Sequence, residues 1–202
     1  DGLEGGAEGM NIQSIQQRLE SYGRLTSLDE HQALREITQE VVLAALGRGD
    51  FFRYALFHGG SCLRVFHGLN RFSEDLDFAM KEPSPDFRLL DHLSPLADEM
   101  ASFGYRLEIT QRDKVDRAVQ KAFLKDDSLG GLLTMRHTNQ SGRAPAIKVK
   151  LEVDTNPPEG GTQESRYLNF PFVSSVATQD LSTMFAGKIH ALLCRDYIKG
   201  RD

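Results

Sequence analysis

Cysteine is scarce in this chain. Cys62 and Cys194 are the only two, and neither stands at ligand spacing from another candidate ligand. A disulfide framework and a cysteine zinc site are thereby excluded, and a reduced, cytoplasmic setting is the simplest expectation. No apolar run approaches the roughly 20 residues of a membrane span, and no signal peptide is visible, so no membrane partner is expected. The six histidines include no pair at i, i+4, and no Ser/His/Asp or Cys/His arrangement stands out. Excess positive charge is missing too. The formal net charge is −5, and Asp1, Glu4 and Glu8 supply three of those five negative charges. Without a globally basic surface, any nucleic-acid contact has to use a local patch. Internal repeats and low-complexity linkers are also absent.

What is present is ordinary for a globular protein. The chain has 202 residues, 40% apolar and 26% charged, enough for one domain. Its first nine residues, DGLEGGAEG, precede Met10 and read as an appended leader outside the fold. The closing string Lys199-Gly200-Arg201-Asp202 does not read as a finished terminus, and truncation there is left open. The expected unit is a single domain over 10–202.

Asn11 to Tyr22 carries helical spacing. Ser27-Leu28-Asp29-Glu30 reads as a capping box, with Ser27 at the N-cap and Glu30 at N3. The helix it opens runs through Leu46, with Gly47 and Gly49 as stop signals. The second half of Phe51–Phe57 fits a buried strand leading into Gly59-Gly60. Ser61–His67 then reads as a helix capped by Gly68, and Leu76–Met80 as a strand. Apolar residues recur at helical spacing over Phe87–Phe103. Tyr105–Ile109, Val119–Leu124 and, among turns, Leu132–Arg136 fit strands. Ile147 to Asp154 alternates apolar and charged residues, as a strand with one face in the core does. Thr183–Ile198 reads as an amphipathic helix, with Met184, Phe185, Ile189, Leu192 and Leu193 on its apolar side. This order predicts an α/β (α+β) fold: a mixed sheet with flanking helices and an N-terminal helical segment.

Two features of this plan carry chemistry. Gly59-Gly60-Ser61 joins a strand to a helix, which aims backbone N–H groups and a helix N-terminus at one spot suited to an anion. A lone Gly-Gly is usually only a turn. The Ser61 hydroxyl is a candidate donor to a phosphate oxygen. Downstream, Asp75 and Asp77 stand at i and i+2, so on a strand they share one face. An Asp-x-Asp pair is common as loop acids or caps, but here Leu76 and Phe78 interleave with it and favour a half-buried strand. Paired carboxylates repel unless a cation sits between them. A phosphate-cradling turn beside hard oxygen ligands is what metal-assisted chemistry on a nucleoside triphosphate requires, which points to nucleotidyl transfer. A third acid is available on the strand ending at Asp154. Either Asp154 or Glu152 can serve, and periodicity does not choose between them. Lys148 and Lys150 share that face and would meet triphosphate or leaving pyrophosphate. The bland alternative is a solvated edge strand with cross-paired charges. Arg64 and Arg71 flank the turn and the acids, placed either to touch phosphates or to pair with nearby acids. His58 reads as support for the turn. Ser73 stands two residues before Asp75, where bonding to local backbone is its simplest role.

The block Phe57-His58-Gly59-Gly60-Ser61-Cys62-Leu63-Arg64, followed by His67-Gly68-Leu69-Asn70-Arg71-Phe72-Ser73-Glu74-Asp75-Leu76-Asp77-Phe78, resembles the AbiEii/AbiGii family of nucleotidyltransferase toxins. That family's pattern there is Gly-Gly-Thr-x-Leu-Arg, then Tyr-Gly-x-x-Arg-Phe-Ser-x-Asp-Leu-Asp-Phe. Ser61 and His67 depart from it at the Thr and Tyr positions. Lys148 to Asp154 is similar to the family's second motif. Lys188-Ile189-His190-Ala191-Leu192, then Arg195 and Arg201-Asp202, is similar to its later ones. The resemblance spans roughly residues 50 to 202 and implies a polymerase-β-like nucleotidyltransferase core, Mg2+ or Mn2+, and a nucleoside triphosphate substrate. It also implies a toxin–antitoxin or phage-defence setting, a cognate antitoxin, and an RNA acceptor such as tRNA. By position, Asp75 and Asp77 are the expected metal ligands, with Lys188 a phosphate contact and Asp202 a further site acid, and Asp154 is expected to assist as a third metal ligand. Gly59, Gly60, Ser61, Arg64 and Lys150 are the expected triphosphate contacts. The alternatives are a non-catalytic nucleotide- or antitoxin-binding module and a transferase acting on a small molecule such as an antibiotic.

Overall fold

A computed structural model describes residues 13–23, 26–103, 105, 107–113, 119–126 and 147–194. Residues 13–20 form helix α1. Then come α2 (Ser27–Arg48), α3 (Phe51–Tyr54), β1 (Ala55–His58), α4 (Gly59–His67), β2 (Asp75–Met80) and α5 (Leu89–Ala101). Next are β3 (Leu107–Asp113), β4 (Val119–Asp126), β5 (Ile147–Asp154), β6 (Gln163–Leu168), β7 (Ser174–Gln179) and α6 (Leu181–Cys194). The seven strands form one mixed sheet in the order β3-β4-β5-β2-β1-β7-β6, with β2–β5 and β1–β7 parallel and the other pairs antiparallel. The expected mixed sheet with flanking helices is therefore what this sequence folds into.

The alternation of Ile147 to Asp154 appears directly as burial. Ile147, Val149, Leu151 and Val153 lie at 1% exposure or less, while the residues between them reach solvent. Phe57, Leu76 and Phe78 join them in the core, and α2 packs against β5 and β7. α2 is buried around most of its circumference, from Ala33 to Leu46, so it carries no one-sided stripe. Its start is shifted by one residue from the expected cap. Thr26 is the N-cap, and its box partner is Asp29 rather than Glu30. Thr26 wins because its hydroxyl accepts the Asp29 N–H while the Asp29 carboxylate accepts the Thr26 N–H. Gly47 does not stop the helix; Gly49 caps it.

Burying α2 brings polar side chains inside, and they tie it to the segment leading into β2. Gln39 donates to the carbonyls of Ser73 (3.1 Å) and Glu74 (3.0 Å). Glu36 accepts from Arg64 Nε and from the Tyr22 hydroxyl, each at 2.6 Å. The Arg64 guanidinium also stacks on Phe72, 4.7 Å from the ring centroid. Glu40 takes two hydrogen bonds from Arg18 of α1.

Several expectations shift. β6 and β7 have no counterpart in the sequence reading. Gln163–Leu168 and Ser174–Gln179 are polar enough to pass for loop, and only their pairing with each other and with β1 makes them strands. The apolar residues of α6 also behave differently from a core stripe. Met184 is buried, but Phe185, Ile189, Leu192 and Leu193 are exposed among the described residues. The expected strand at Leu132–Arg136 lies outside the described residues, as do residues 195–198 of the expected last helix. No helix of the described residues is long and apolar enough to cross a membrane.

The Glu36–Arg64 pair yields a stability prediction. Glu36→Ala leaves a largely buried guanidinium and the Tyr22 hydroxyl without their acceptor, and should cost about 3 kcal/mol by urea denaturation. A loss below about 1 kcal/mol would show that water replaces the carboxylate without penalty.

Candidate active site

β1 delivers the chain to the site and α4 leaves it. Between them, Gly59 has φ +79°, in the left-handed region, and a Cβ there would lie 2.6 Å from Asp77 Oδ2. At Gly60 a Cβ would lie 2.9 Å from Ser73 Oγ. The glycines thus let the Asp77 carboxylate and the Ser73 hydroxyl approach the N-terminus of α4. His58 occupies the N-cap of that helix and makes no side-chain capping bond. The positive end of the helix dipole therefore faces the acid face of β2.

Strand register assembles the remainder. His58 pairs with Asp77 across β1–β2. Across β2–β5, Asp75 pairs with Lys150, Asp77 with Glu152, and Ala79 with Asp154. Directly paired residues share a face, so Asp75, Asp77, Lys150, Glu152 and Asp154 lie on one side of the sheet. Glu152 is the acid opposite Asp77. Asp154 lies one same-face position further along, where its Oδ1 accepts the Asn156 N–H at 2.9 Å. The ammonium of Lys150 contacts Glu152 and lies 3.8 Å from Asp75 Oδ2.

The electrostatics follow from this crowding. Burial first, then the Glu152 and Asp75 carboxylates, push Asp77 up to about 6, against the opposing charges of Lys150 and Lys188. Burial also works against the Lys150 ammonium, but its hydrogen bond to Glu152 and the surrounding carboxylates prevail and raise its pKa. Burial holds the His58 imidazole below its ordinary value, and Lys188 acts in the same direction, against a hydrogen bond to the Phe78 backbone and the charge of Asp154. Lys188 is thus close enough to act on both Asp77 and His58, although it stands on α6, far away in sequence.

The predicted site residues divide accordingly. Gly59, Gly60, Asp75, Asp77, Lys150, Glu152 and Lys188 come together. Ser61 is fully buried, and its hydroxyl donates to the Asp75 carbonyl. It holds β2 in place, and a phosphate contact from this hydroxyl is not what the geometry shows. Arg64 likewise turns away from the expected phosphate role. Its guanidinium bonds Glu36 and the Leu69 carbonyl (3.0 Å), because buried Glu36 is the strongest acceptor within reach. Arg71, which sequence reading left between two roles, has its guanidinium 4.0 Å from the Cβ position of Gly60, over the turn. Asp202, Arg195 and Arg201 lie outside the described residues. His58, read as turn support or as packed, stands at the N-cap of α4 and also pairs with Asp77 across β1–β2. Only the antiparallel register of β1 and β2 reveals that.

Comparison with known proteins gives the chain's family and fold. Residues 41–202 match the family described as nucleotidyl transferase AbiEii toxin, type IV toxin–antitoxin system. The chain belongs to the AbiEii family. Two solved structures from Helicobacter pylori share its fold. One, provisionally described as a nucleotidyltransferase, has a TM-score of 0.51 and 17% identity over 82% of this chain. The other, JHP933, has a TM-score of 0.54 and 15% identity over 87% of this chain. This AbiEii chain spans 59% and 62% of the lengths of those two proteins. No curated protein matches it.

Two predictions come from this geometry. Gly59→Ala combines a positive φ with a clash at Asp77 and should cost at least about 2 kcal/mol. Gly68→Ala, at φ +70° with nothing within 4 Å, should cost only about 1 kcal/mol. Equal losses in urea titrations would show that the Asp77 contact does not matter. Asp77 also sets a pH dependence. Its folded pKa of about 6 lies above the ordinary 3.8, so its contribution is intact below about pH 4 and lost as pH rises through 6. Between pH 4 and pH 8, without divalent cations, Asp77→Asn should gain on the order of 2–3 kcal/mol relative to wild type. Parallel melting profiles of the two proteins would contradict this.

Proposed function

We propose that this AbiEii-family chain carries the catalytic core of an enzyme that transfers a nucleotide from a nucleoside triphosphate to a hydroxyl group on RNA, with tRNA the first candidate acceptor, and that this transfer is its toxic activity. The observation that supports it most is the Asp77–Glu152 register, which gathers acids beside the glycine-led N-terminus of α4. The donor set suits a divalent cation such as Mg2+. Four carboxylates share one sheet face, and burial first, then the Glu152 and Asp75 charges, raise Asp77 against the opposing lysines.

Asp75, Asp77 and Glu152 would hold the cation, with Asp154 at the edge of the set. A bound divalent cation supplies Lewis-acid charge neutralisation for in-line phosphoryl chemistry and a lower pKa for the attacking hydroxyl. The Gly59–Gly60 turn presents the α4 N-terminus to triphosphate oxygens without a side chain in the way. Arg71, over the turn, and Lys188, which acts on Asp77 and His58, would bring positive charge to the triphosphate. His58, kept largely neutral at pH 7 by burial, fills the space beside Asp77 without adding a competing cation.

A labelled-triphosphate assay with Mg2+, total RNA and a panel of small hydroxyl compounds tests this. Wild-type protein should label the tRNA fraction, and Asp75→Ala, Asp77→Ala and Glu152→Ala should each lower the rate on the order of 100-fold or more. Equal labelling by Asp77→Ala would refute the assignment. Label appearing only in small compounds would move the acceptor to that class. Nucleotide binding without any transfer would make the chain a binding module.

A further inference from the structure

Lys150 stands where opposite charge is most needed. It pairs in register with Asp75, its ammonium contacts Glu152, and its side chain remains 28% exposed. Among the described residues, no three His, Cys, Asp or Glu side chains are grouped so as to hold a metal ion as they stand. The Lys150 ammonium stands between two of these acids, in contact with Glu152 and 3.8 Å from Asp75 Oδ2, where a cation bound to both would lie.

We propose that Lys150 is an internal counter-ion, which holds the acids together before a divalent cation arrives and must give way for that cation to bind. This rests on the assignment of Asp75, Asp77 and Glu152 as the cation-holding acids. Lys150 is suited to exchange rather than permanent pairing. Its charge sits on a flexible four-carbon stem, and its partial exposure gives the ammonium a route out along the sheet face. The same face borders the glycine turn, so a displaced ammonium moves toward the position where triphosphate charge would lie. Cation binding and nucleotide binding would then reinforce each other through one side chain. The cation frees the lysine, and the nucleotide gives it a new partner.

Removing the lysine charge should therefore strengthen cation binding while weakening nucleotide binding. Mn2+ binding is measured by the electron paramagnetic resonance signal of the free ion, without nucleotide, in wild type, Lys150→Met, Lys150→Gln and Lys150→Arg. Lys150→Met and Lys150→Gln should bind Mn2+ about 5- to 10-fold more tightly than wild type, the scale of a partly exposed ion pair. Lys150→Arg keeps the charge and should not. A non-hydrolysable nucleoside triphosphate with Mg2+ should bind the two neutral variants more weakly than wild type. The exchange is overturned if the neutral variants bind Mn2+ no more tightly than wild type while Asp77→Ala abolishes binding, and the acid assignment then stands. If neither wild type nor any lysine variant binds Mn2+, the acid assignment itself fails. The two neutral side chains differ in shape and polarity, so the result does not depend on one of them folding poorly.

Discussion

Four carboxylates share one face of the β2–β5 ladder because Asp77 pairs with Glu152, Asp75 pairs with Lys150, and Asp154 follows Glu152 at the next same-face position. Like charges at such spacing repel, and the surrounding structure can be understood as a set of responses to that repulsion. The helix α4 aims its positive end at Asp77. Lys150 reaches in from β5 and Lys188 acts from α6. Gly59 leaves the space in which the Asp77 carboxylate can lie against the turn. Burial first, and then the Glu152 and Asp75 carboxylates, still hold Asp77 well above its ordinary pKa. A face that gathers carboxylates in this way is suited to binding something positive.

Holding that face in register requires rigid support from behind, and α2 provides it. A helix buried on nearly all sides ordinarily carries few polar or charged side chains, yet α2 buries Glu36, Gln39 and Glu40. Each has a partner on another element. Gln39 fixes the backbone just before β2, Glu36 holds Arg64 of α4, and Glu40 holds Arg18 of α1. Such bonds stabilise little compared with apolar packing, but they are directional and tolerate little displacement. The segment from Gly68 to Asp75 is thereby aligned with the sheet. Ser61 closes the arrangement through the Asp75 carbonyl. Arg64 and Ser61 thus serve the site by positioning its acids.

Legibility in the sequence varied with the physical origin of each feature. The strand Ile147–Asp154 was readable because its burial alternates residue by residue, and the alternation is written in the side chains. The glycine turn, α4 and β2 were readable because Gly59 and Gly68 punctuate a short apolar stretch and Leu76 and Phe78 flank acids at i and i+2. β6 and β7 were not readable, since their polar residues gain strand conformation from hydrogen bonding to neighbours far along the chain. The exposed apolar face of α6 was misjudged for a related reason. Helical spacing of Phe185, Ile189 and Leu192 shows that the residues share a side, not that anything covers it. The cap of α2 slipped by one residue because Thr26 and Ser27 are both competent caps, and only the Asp29 geometry separates them.

The amino-acid sequence by itself determined the local elements, the apolar side of β5, the nearness of the glycine turn to the acid pair, and the family pattern that names them. These are short-range properties, set by side-chain period, turn chemistry and residue identity within a few tens of positions. Tertiary structure decided which of two acids faces Asp77, that Arg64 and Ser61 serve the scaffold, that Lys150 lies among the carboxylates, and that Lys188 acts on Asp77 from a distant helix. Glu152 and Asp154 are indistinguishable by period because both project from the same face. Only the parallel register of β5 on β2 separates them, and that register is set by pairing between strands that lie some seventy residues apart.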